Sequence, residues 1–310
     1  MDSIRSTSNA SQSSSSELSC SELSSFGSEF GDPLEHMAKE VKQQPYTTYR
    51  SLQRLLERLQ QALEQDKTRD QYLVFTSVPP AQFSKLSRSQ TRKHCRFSYN
   101  IETGILIAKA MIMPTHVAAG EFDVRIVIKL AAMNVLHEIT ACRSTIVTAG
   151  NWQKGADCSW APAETHAGLS FVVEVGLSES AQRLVIDAHG WLENSSSVKL
   201  VVTMTIGCDN AEIILRRWEL FPRRSGILTR ASPHSAQCTA FVKISRTNNT
   251  TSVTGASTLD GITTMTKQLV LPFDKVMNRP PNQPLERDIV ITQQDLEGFA
   301  EKLWLEQGLL

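Results

Sequence analysis

Two carboxylates stand in this chain where carboxylates are not free to stand. Glu174 lies inside Phe171-Val-Val-Glu174-Val, where every neighbour is a core-forming residue. An unpaired carboxylate buried there costs several kcal/mol or takes up a proton, so it calls for a cation, a metal or a set of hydrogen bonds. Asp157 sits 17 residues earlier, in Gly155-Ala-Asp157-Cys-Ser-Trp160-Ala-Pro162. Two antiparallel strands joined by a loop of about eight residues would set the two carboxylates side by side. Such a pair on neighbouring strand ends is a hard-oxygen site suited to Mg²⁺. A metal held this way activates water and neutralises charge at phosphorus. The plainer alternatives are a structural ion pair of Glu174 with Arg183 or Lys199, and a turn-forming role for Asp157 beside Gly155.

Other reactive side chains point nowhere as definite. His189, next to Trp191, reads as a partly exposed surface histidine or a base. His116 lies near the start of a helical segment and is equally ambiguous. His137-Glu138 lacks the second histidine of a zinc-protease helix. Cys20, Cys95, Cys142, Cys158, Cys208 and Cys238 are scattered, without a CxxC pair or zinc spacing, which argues against a zinc module and a secreted disulfide framework. No P-loop, dinucleotide-binding glycine pattern or Gly-x-Ser-x-Gly elbow is present.

The elements that must position the two acids follow from periodicity. Phe171-Val-Val-Glu174-Val reads as a buried strand running into Gly176 and the capping residues Ser178-Glu179-Ser180. The helix after it presents Leu184, Ala188, Trp191 and Leu192 on one face. Asn194-Ser-Ser-Ser197 breaks it, and Val198–Ile206 is a strand. Strand, helix and strand at this spacing predict a βαβ crossover and a partly parallel sheet. Upstream, Arg96–Met113 holds two short strands around Glu102-Thr-Gly104. Gly120–His137 is helical through Phe122, Ile126, Val127, Leu130 and Met133, and Arg143–Thr148 is a strand. Downstream come strands at Ala211–Leu220, Thr239–Arg246, Gln268–Phe273 and Arg287–Ile291. A helix with Leu296, Phe299, Leu303 and Trp304 on one face closes the chain, capped by Thr292-Gln-Gln-Asp295.

The 310 residues divide into a Ser-rich segment over 1–40, an amphipathic helix within 46–67 and a domain over 68–310. The first offers too little apolar surface to offset its ordering entropy, so disorder is expected. The second places Leu52, Leu55, Leu56, Leu59 and Leu63 on one stripe, to dock on the domain or to join a homo- or hetero-oligomer. The chain has no apolar run long enough for a membrane span and no apolar leader at its start, so no membrane association and a nuclear or cytoplasmic location are expected. Lys+Arg and Asp+Glu balance at 32 each, which argues against bulk electrostatic DNA binding and leaves room for a local basic groove. Arg88, Arg92, Lys93, Arg216 and Arg217 are the candidate backbone contacts.

The stretch GADCSWAP…SFVVEVGLSESAQRLVIDAHGWLENSSSVKLVVTMTI resembles the PD-(D/E)XK nuclease-like superfamily, and within it a fungal group. That group has an aspartate before Ser-Trp-x-Pro, then E-V-G-x-S-x-S, a helix ending in Trp-Leu and a V-K-x-V strand. The motif-bearing region is 150–206, with weaker likeness from Phe97 to Asp288–Leu296. The resemblance implies a restriction-endonuclease-like α/β core, a mixed sheet flanked by helices, after the disordered tail. It implies hydrolysis of DNA phosphodiesters with Mg²⁺ or Mn²⁺ held by Asp157 and Glu174. The superfamily's lysine would stand at Gly176, where glycine can neither orient water nor stabilise charge. Lys199 is assigned as its replacement, with Arg183 as the alternative. If neither serves, an inactive nuclease fold used for binding or assembly is the implied function.

Overall fold

The computed structural model describes residues 32–89, 94–164, 168–178, 181–222 and 234–310. The first elements are α1 (Pro33–Glu40), β1 (Gln43–Pro45), α2 (Tyr49–Gln65), β2 (Tyr72–Thr76), α3 (Pro80–Ser87), β3 (Cys95–Asn100) and β4 (Leu106–Ala110). Then come α4 (Met113–Ala132), β5 (Ile139–Ala141), β6 (Ile146–Ala149), β7 (Trp152–Gly155), β8 (Cys158–Pro162), β9 (Phe171–Leu177), α5 (Ala181–Asn194) and β10 (Leu200–Ile206). The remainder is β11 (Glu212–Pro222), β12 (His234–Thr247), β13 (Thr250–Leu259), β14 (Ile262–Met265), β15 (Leu269–Leu271), α6 (Phe273–Met277), β16 (Ile289–Ile291) and α7 (Gln293–Gln307).

The fold is mixed α/β. A six-stranded sheet runs β1-β2-β4-β3-β7-β6 and an eight-stranded sheet runs β14-β13-β12-β11-β10-β9-β8-β5, with β15 and β16 paired apart. Only β1/β2 and β9/β10 are parallel among the described pairings. The parallel pair is the expected crossover: α5 returns the chain so that Phe171 aligns with Leu200 and Glu174 with Thr203. Helices α4 and α7 cover one face of the large sheet, packing Phe122, Ile126, Phe299 and Leu303 on Val173, Val175, Val202 and Met204. Helix α5 covers the other face, packing Val185, Ala188, Trp191 and Leu192 on Val172, Val201 and Trp218.

The small sheet also has two covered faces. Leu52 and Leu56 of α2 bury themselves with Phe83 and Leu86 of α3 against Phe75, Phe97, Leu106 and Ala108. The leucine stripe of 52–63 is thus turned inward onto the domain. On the opposite face, Leu34, Met37, Ala38 and Val41 pack on Tyr72, Val74, Ile107, Trp152 and Ile186. The disorder expected over 1–40 does not hold for Pro33–Glu40, a helix in which Leu34 and Met37 are fully buried. The signal is the Asp32-Pro33 helix start with apolar residues at 34, 37, 38 and 41. Residues 1–31 lie outside the described residues.

Several element boundaries differ from expectation. Helix α4 begins at Met113, because Pro114 suits the first helical turn and Thr115 bonds back to Ile112 N at 3.2 Å. The strand expected over Gln268–Phe273 is only Leu269–Leu271, since Phe273 opens α6. The hairpin β13–β14 was not anticipated at all. The capping residues Glu179 and Ser180 fall outside the described residues. The closing helix starts as expected: Thr292 Oγ1 accepts from Asp295 N, and Asp295 Oδ2 accepts from Thr292 N at 2.9 Å. The five described cysteines are free, and among the described residues no helix is long and apolar enough to cross a membrane.

Candidate active site

Asp157 occupies the point where the chain leaves one sheet for the other. Strand β7 pairs with β3 and β6 in the small sheet, and β8 pairs with β9 in the large one. Between them lie only Ala156 and Asp157. The antiparallel register matches Cys158 with Val173, which sets Asp157 opposite Glu174. The side-by-side placement expected of the two acids is the one observed.

What joins them is a residue the sequence reading did not single out. Lys109, in the middle of β4, donates from Nζ to Asp157 Oδ2 at 2.6 Å and to Glu174 Oε2 at 2.5 Å. Its Leu-Ile-Ala-Lys109-Ala surroundings are as apolar as those of Glu174, so the same logic of a lone charge in a core run points to it. The three side chains are 4%, 0% and 2% exposed for Lys109, Asp157 and Glu174.

Further donors and cations surround the two carboxylates. Val175 N donates to Asp157 Oδ2 at 2.7 Å, and Arg96 Nε lies 3.3 Å from Asp157 Oδ1. Trp191 Nε1 donates to Glu174 Oε1 at 2.8 Å. Arg96 is opposite Lys109 in the β3/β4 register, which turns both toward the seam. Beside this set, Lys154 of β7 is paired with Asp187 of α5, and its Nζ lies 4.7 Å from the Trp191 ring centre. Two lysines, an arginine and three carboxylates thus face one another between the sheets and α5.

Burial and charge set the proton affinities. Burial pulls Lys109 downward, but Asp157 and Glu174 outweigh it and hold the ammonium well above its ordinary value. Burial raises Asp157, yet Lys109, Arg96 and the Val175 N–H bring it below the usual carboxylate range. Glu174 is pushed up to about 8 by burial, against the pull of Lys109, with Asp187 and Asp157 adding to the rise. The asymmetry makes Asp157 the firm anion and Glu174 the one able to exchange a proton near neutrality.

Lys199 is not in this cluster. It precedes β10 at the surface, and its Nζ donates to Ser196 O at 3.0 Å. The expectation failed because Leu200, not Lys199, begins the buried register beside Phe171. Arg183 also points elsewhere, gripping Asp70 through Nη2 at 2.7 Å and Nε at 3.2 Å. Position 176 is tight for any side chain: a Cβ there would meet Leu184 Cδ1 at 3.0 Å and Gln71 Oε1 at 3.4 Å. His189 is buried, not partly exposed, with Nδ1 2.8 Å from Glu193 Oε1 and its ring edge-on to Trp218. His116 sits half-buried in the first turn of α4, away from the acid pair.

Among the proposed nucleic-acid contacts, Arg88 is exposed, whereas Arg217 is buried against Glu219, Thr239 Oγ1 and Val270 O. Arg216 is half-buried on β11, and Arg92 and Lys93 lie outside the described residues.

The site's fit to a divalent ion rests on the Lys109 ammonium. Two hard carboxylates converge on one seat, and a cation of the protein's own already sits there. Mg²⁺ binds through one or two carboxylates while keeping several waters, so Asp157 and Glu174 suit it once the ammonium moves aside. No set of three or more His, Cys, Asp or Glu ligands exists among the described residues.

No family model matches the chain, and neither does any curated protein. Among solved structures the chain is similar to a "putative nuclease belonging to DUF820" from Anabaena variabilis, with 11% identity and a TM-score of 0.33 over 66% of this chain and 90% of that one.

Proposed function

We propose that this protein is a nuclease of the PD-(D/E)XK type that hydrolyses DNA phosphodiesters with Mg²⁺ or Mn²⁺. The observation that carries the proposal is the single ammonium shared by Asp157 and Glu174 at the seam of the two sheets. Asp157 and Glu174 would hold the metal, which supplies charge neutralisation at phosphorus and a more acidic water. Lys109 takes the role assigned from sequence to Lys199. Its ammonium is held well above the ordinary value, so it stays charged and able to stabilise a developing negative oxygen. Trp191 Nε1–H and Val175 N–H fix the two carboxylates in orientation. Asp187 keeps the second lysine, Lys154, out of the seat.

One observation favours a second function, a catalytically inactive nuclease fold that serves binding or assembly. Asp157 Oδ2 and both Glu174 oxygens accept hydrogen bonds, and Asp157 Oδ1 lies 3.3 Å from Arg96 Nε in an ion pair without a hydrogen bond, so the protein's own cations neutralise the site without a metal. The two functions separate in one experiment. Purified protein is incubated with single- and double-stranded DNA and Mn²⁺ or Mg²⁺, beside an Asp157→Ala control. Cleavage by the wild type that the control lacks supports the nuclease, and equal inactivity of both in every metal selects the inactive module.

A further inference from the structure

Lys109, Asp157 and Glu174 are 4% exposed or less, so no phosphodiester reaches them in the structure as it stands. A small, largely enclosed cleft adjoins them, lined by Tyr72, Arg96, Lys109, Glu174, Asp187 and, from outside the strands and α5, Met37. Met37 is the contribution of α1. That helix lies across the seam with Leu34 pressed on Gly190 of α5, so close that a Cβ on Gly190 would meet Leu34 Cγ at 2.8 Å. Asp32 pins its start by accepting from Trp152 Nε1 at 2.6 Å and Asn194 Nδ2 at 3.3 Å.

We propose that α1 is a removable plug: docked, it closes the charged cleft, and undocked, it exposes the Lys109–Asp157–Glu174 set to substrate and metal. The proposal rests on the nuclease assignment for its consequence, but its geometry stands separately. Helix α1 has eight residues, too few to persist alone, so its structure depends on docking. It adds a cover without adding a strand to either sheet, whose hydrogen bonding survives its departure. Its polar side carries His36 and Glu40, which pair with each other at 3.5 Å, while Leu34, Met37 and Ala38 hold it down. The pairs of Asp157 with Lys109 and Arg96, of Glu174 with Lys109 and of Asp187 with Lys154 are all made within the strands, their crossing and α5, so these reactive groups hold one another in place when α1 leaves.

The test is a reversible lock in the full-length chain. Leu34→Cys with Gly190→Cys places a sulfur near the Leu34 Cγ position, close to the roughly 3 Å that separates one Cβ from the far sulfur in a disulfide. The oxidised form should bind Mn²⁺ at least tenfold more weakly than the reduced form, by calorimetry, and should not cleave DNA. A Leu34→Asp variant, which drives α1 off, should match or exceed the reduced form and should become sensitive to protease within 33–43. Should the released forms bind Mn²⁺ without cutting, the plug stands and the nuclease assignment falls. Equal cleavage by locked and released forms keeps the nuclease and overturns the plug. Release of α1, proved by proteolysis, with no change in Mn²⁺ binding or in amide exchange along β4 and β9 also overturns it. If Leu34→Asp does not fold, the oxidised and reduced states of the cysteine pair still decide the matter.

Discussion

A charged side chain inside an apolar run is stable only when something answers its charge, and in this chain the answers lie far away in sequence. Glu174 was legible because FVVEV leaves a carboxylate nowhere to go. Lys109 in LIAKA and Asp187 in LVIDA carry the same signal. What no local pattern contains is the pairing: Lys109 is 48 residues from Asp157 and 65 from Glu174. Lys199 is the natural choice if the strand beside Glu174 turns its side chain to the same sheet end, yet a residue just outside a strand turns to solvent as easily as inward. Lys109→Met should therefore lower cleavage by about 10²–10³, the scale of one charge-stabilising group, whereas Lys199→Met should cleave at the wild-type rate. Single-turnover cleavage by both variants measures this, and a severe loss in Lys199→Met would return the amine to its first assignment. Placing a lysine at 176 should fail. In Gly176→Lys the new Cβ meets Leu184 and Gln71, an overpacking worth about 1–3 kcal/mol. Urea unfolding should show that loss with no gain in cleavage.

At the level of elements, the clearest sequence signals were those in which chemistry and geometry coincide. Gly104 takes φ +68° in the β3–β4 turn, where its N donates to Asn100 O at 3.0 Å and its carbonyl accepts from Val78 N at 2.9 Å. The Thr292/Asp295 box opens α7 as its spacing required. The hairpin β13–β14 was overlooked although Asp260-Gly261 signals it. Both residues take positive φ, as a tight hairpin turn demands, and Asn248-Asn249 does the same between β12 and β13. Its strands are Thr- and Ser-rich with little apolar alternation, and β14 is exposed along its length, so the strand pattern was faint. The link from α6 to β16 shows an element held by charge instead. Arg279 bridges Glu138 at 2.7 Å and Glu286 at 2.6 Å, and Asn282 N donates to Glu286 at 2.6 Å. The Arg279 hydrogen bond, with the Asn282 N–H behind it, lowers Glu286 to about 2. The unfolded chain then binds the proton more readily than the native one, so stability rises with pH across this range. Its contribution is complete above about pH 4.5, the carboxylate's ordinary value, and is lost as pH falls toward 2. Between pH 5 and 3 the wild-type melting temperature should fall more steeply than that of Glu286→Gln, and parallel curves would remove this pair from acid stability.

For the molecule as a whole, the ion-pair network is also the seam between its two sheets. Lys109, Arg96 and Lys154 come from the small sheet, Glu174 from the large one, Asp187 and Trp191 from α5, and Asp157 from the crossing between them. Strand order decides this convergence. The βαβ crossover of the central region was legible in the sequence, whereas the passage at Asp157 from one sheet to the other was not, because a break between two sheets leaves no period of its own. A network buried at such a seam need not add net stability, since desolvation opposes the attraction, but removing one partner strands the rest. Lys109→Met should cost about 3–5 kcal/mol, because it leaves two carboxylates facing each other in a dry space. Neutralising the whole set, as Lys109→Met with Asp157→Asn and Glu174→Gln, should recover most of that loss. The triple variant keeps the side-chain volumes and the oxygens that accept from Val175 and Trp191, and it removes the three charges that meet at Lys109 Nζ, leaving Arg96 without its Asp157 carboxylate. Urea unfolding of the single and triple variants, with amide exchange followed along β4 and β9, measures both effects. The single variant should loosen the two strands together, since each loses the same ammonium. If it costs under about 1 kcal/mol, the sheets are held by the apolar contacts around Trp191 and Ile107 alone, and the charges lie at the seam for the sake of chemistry.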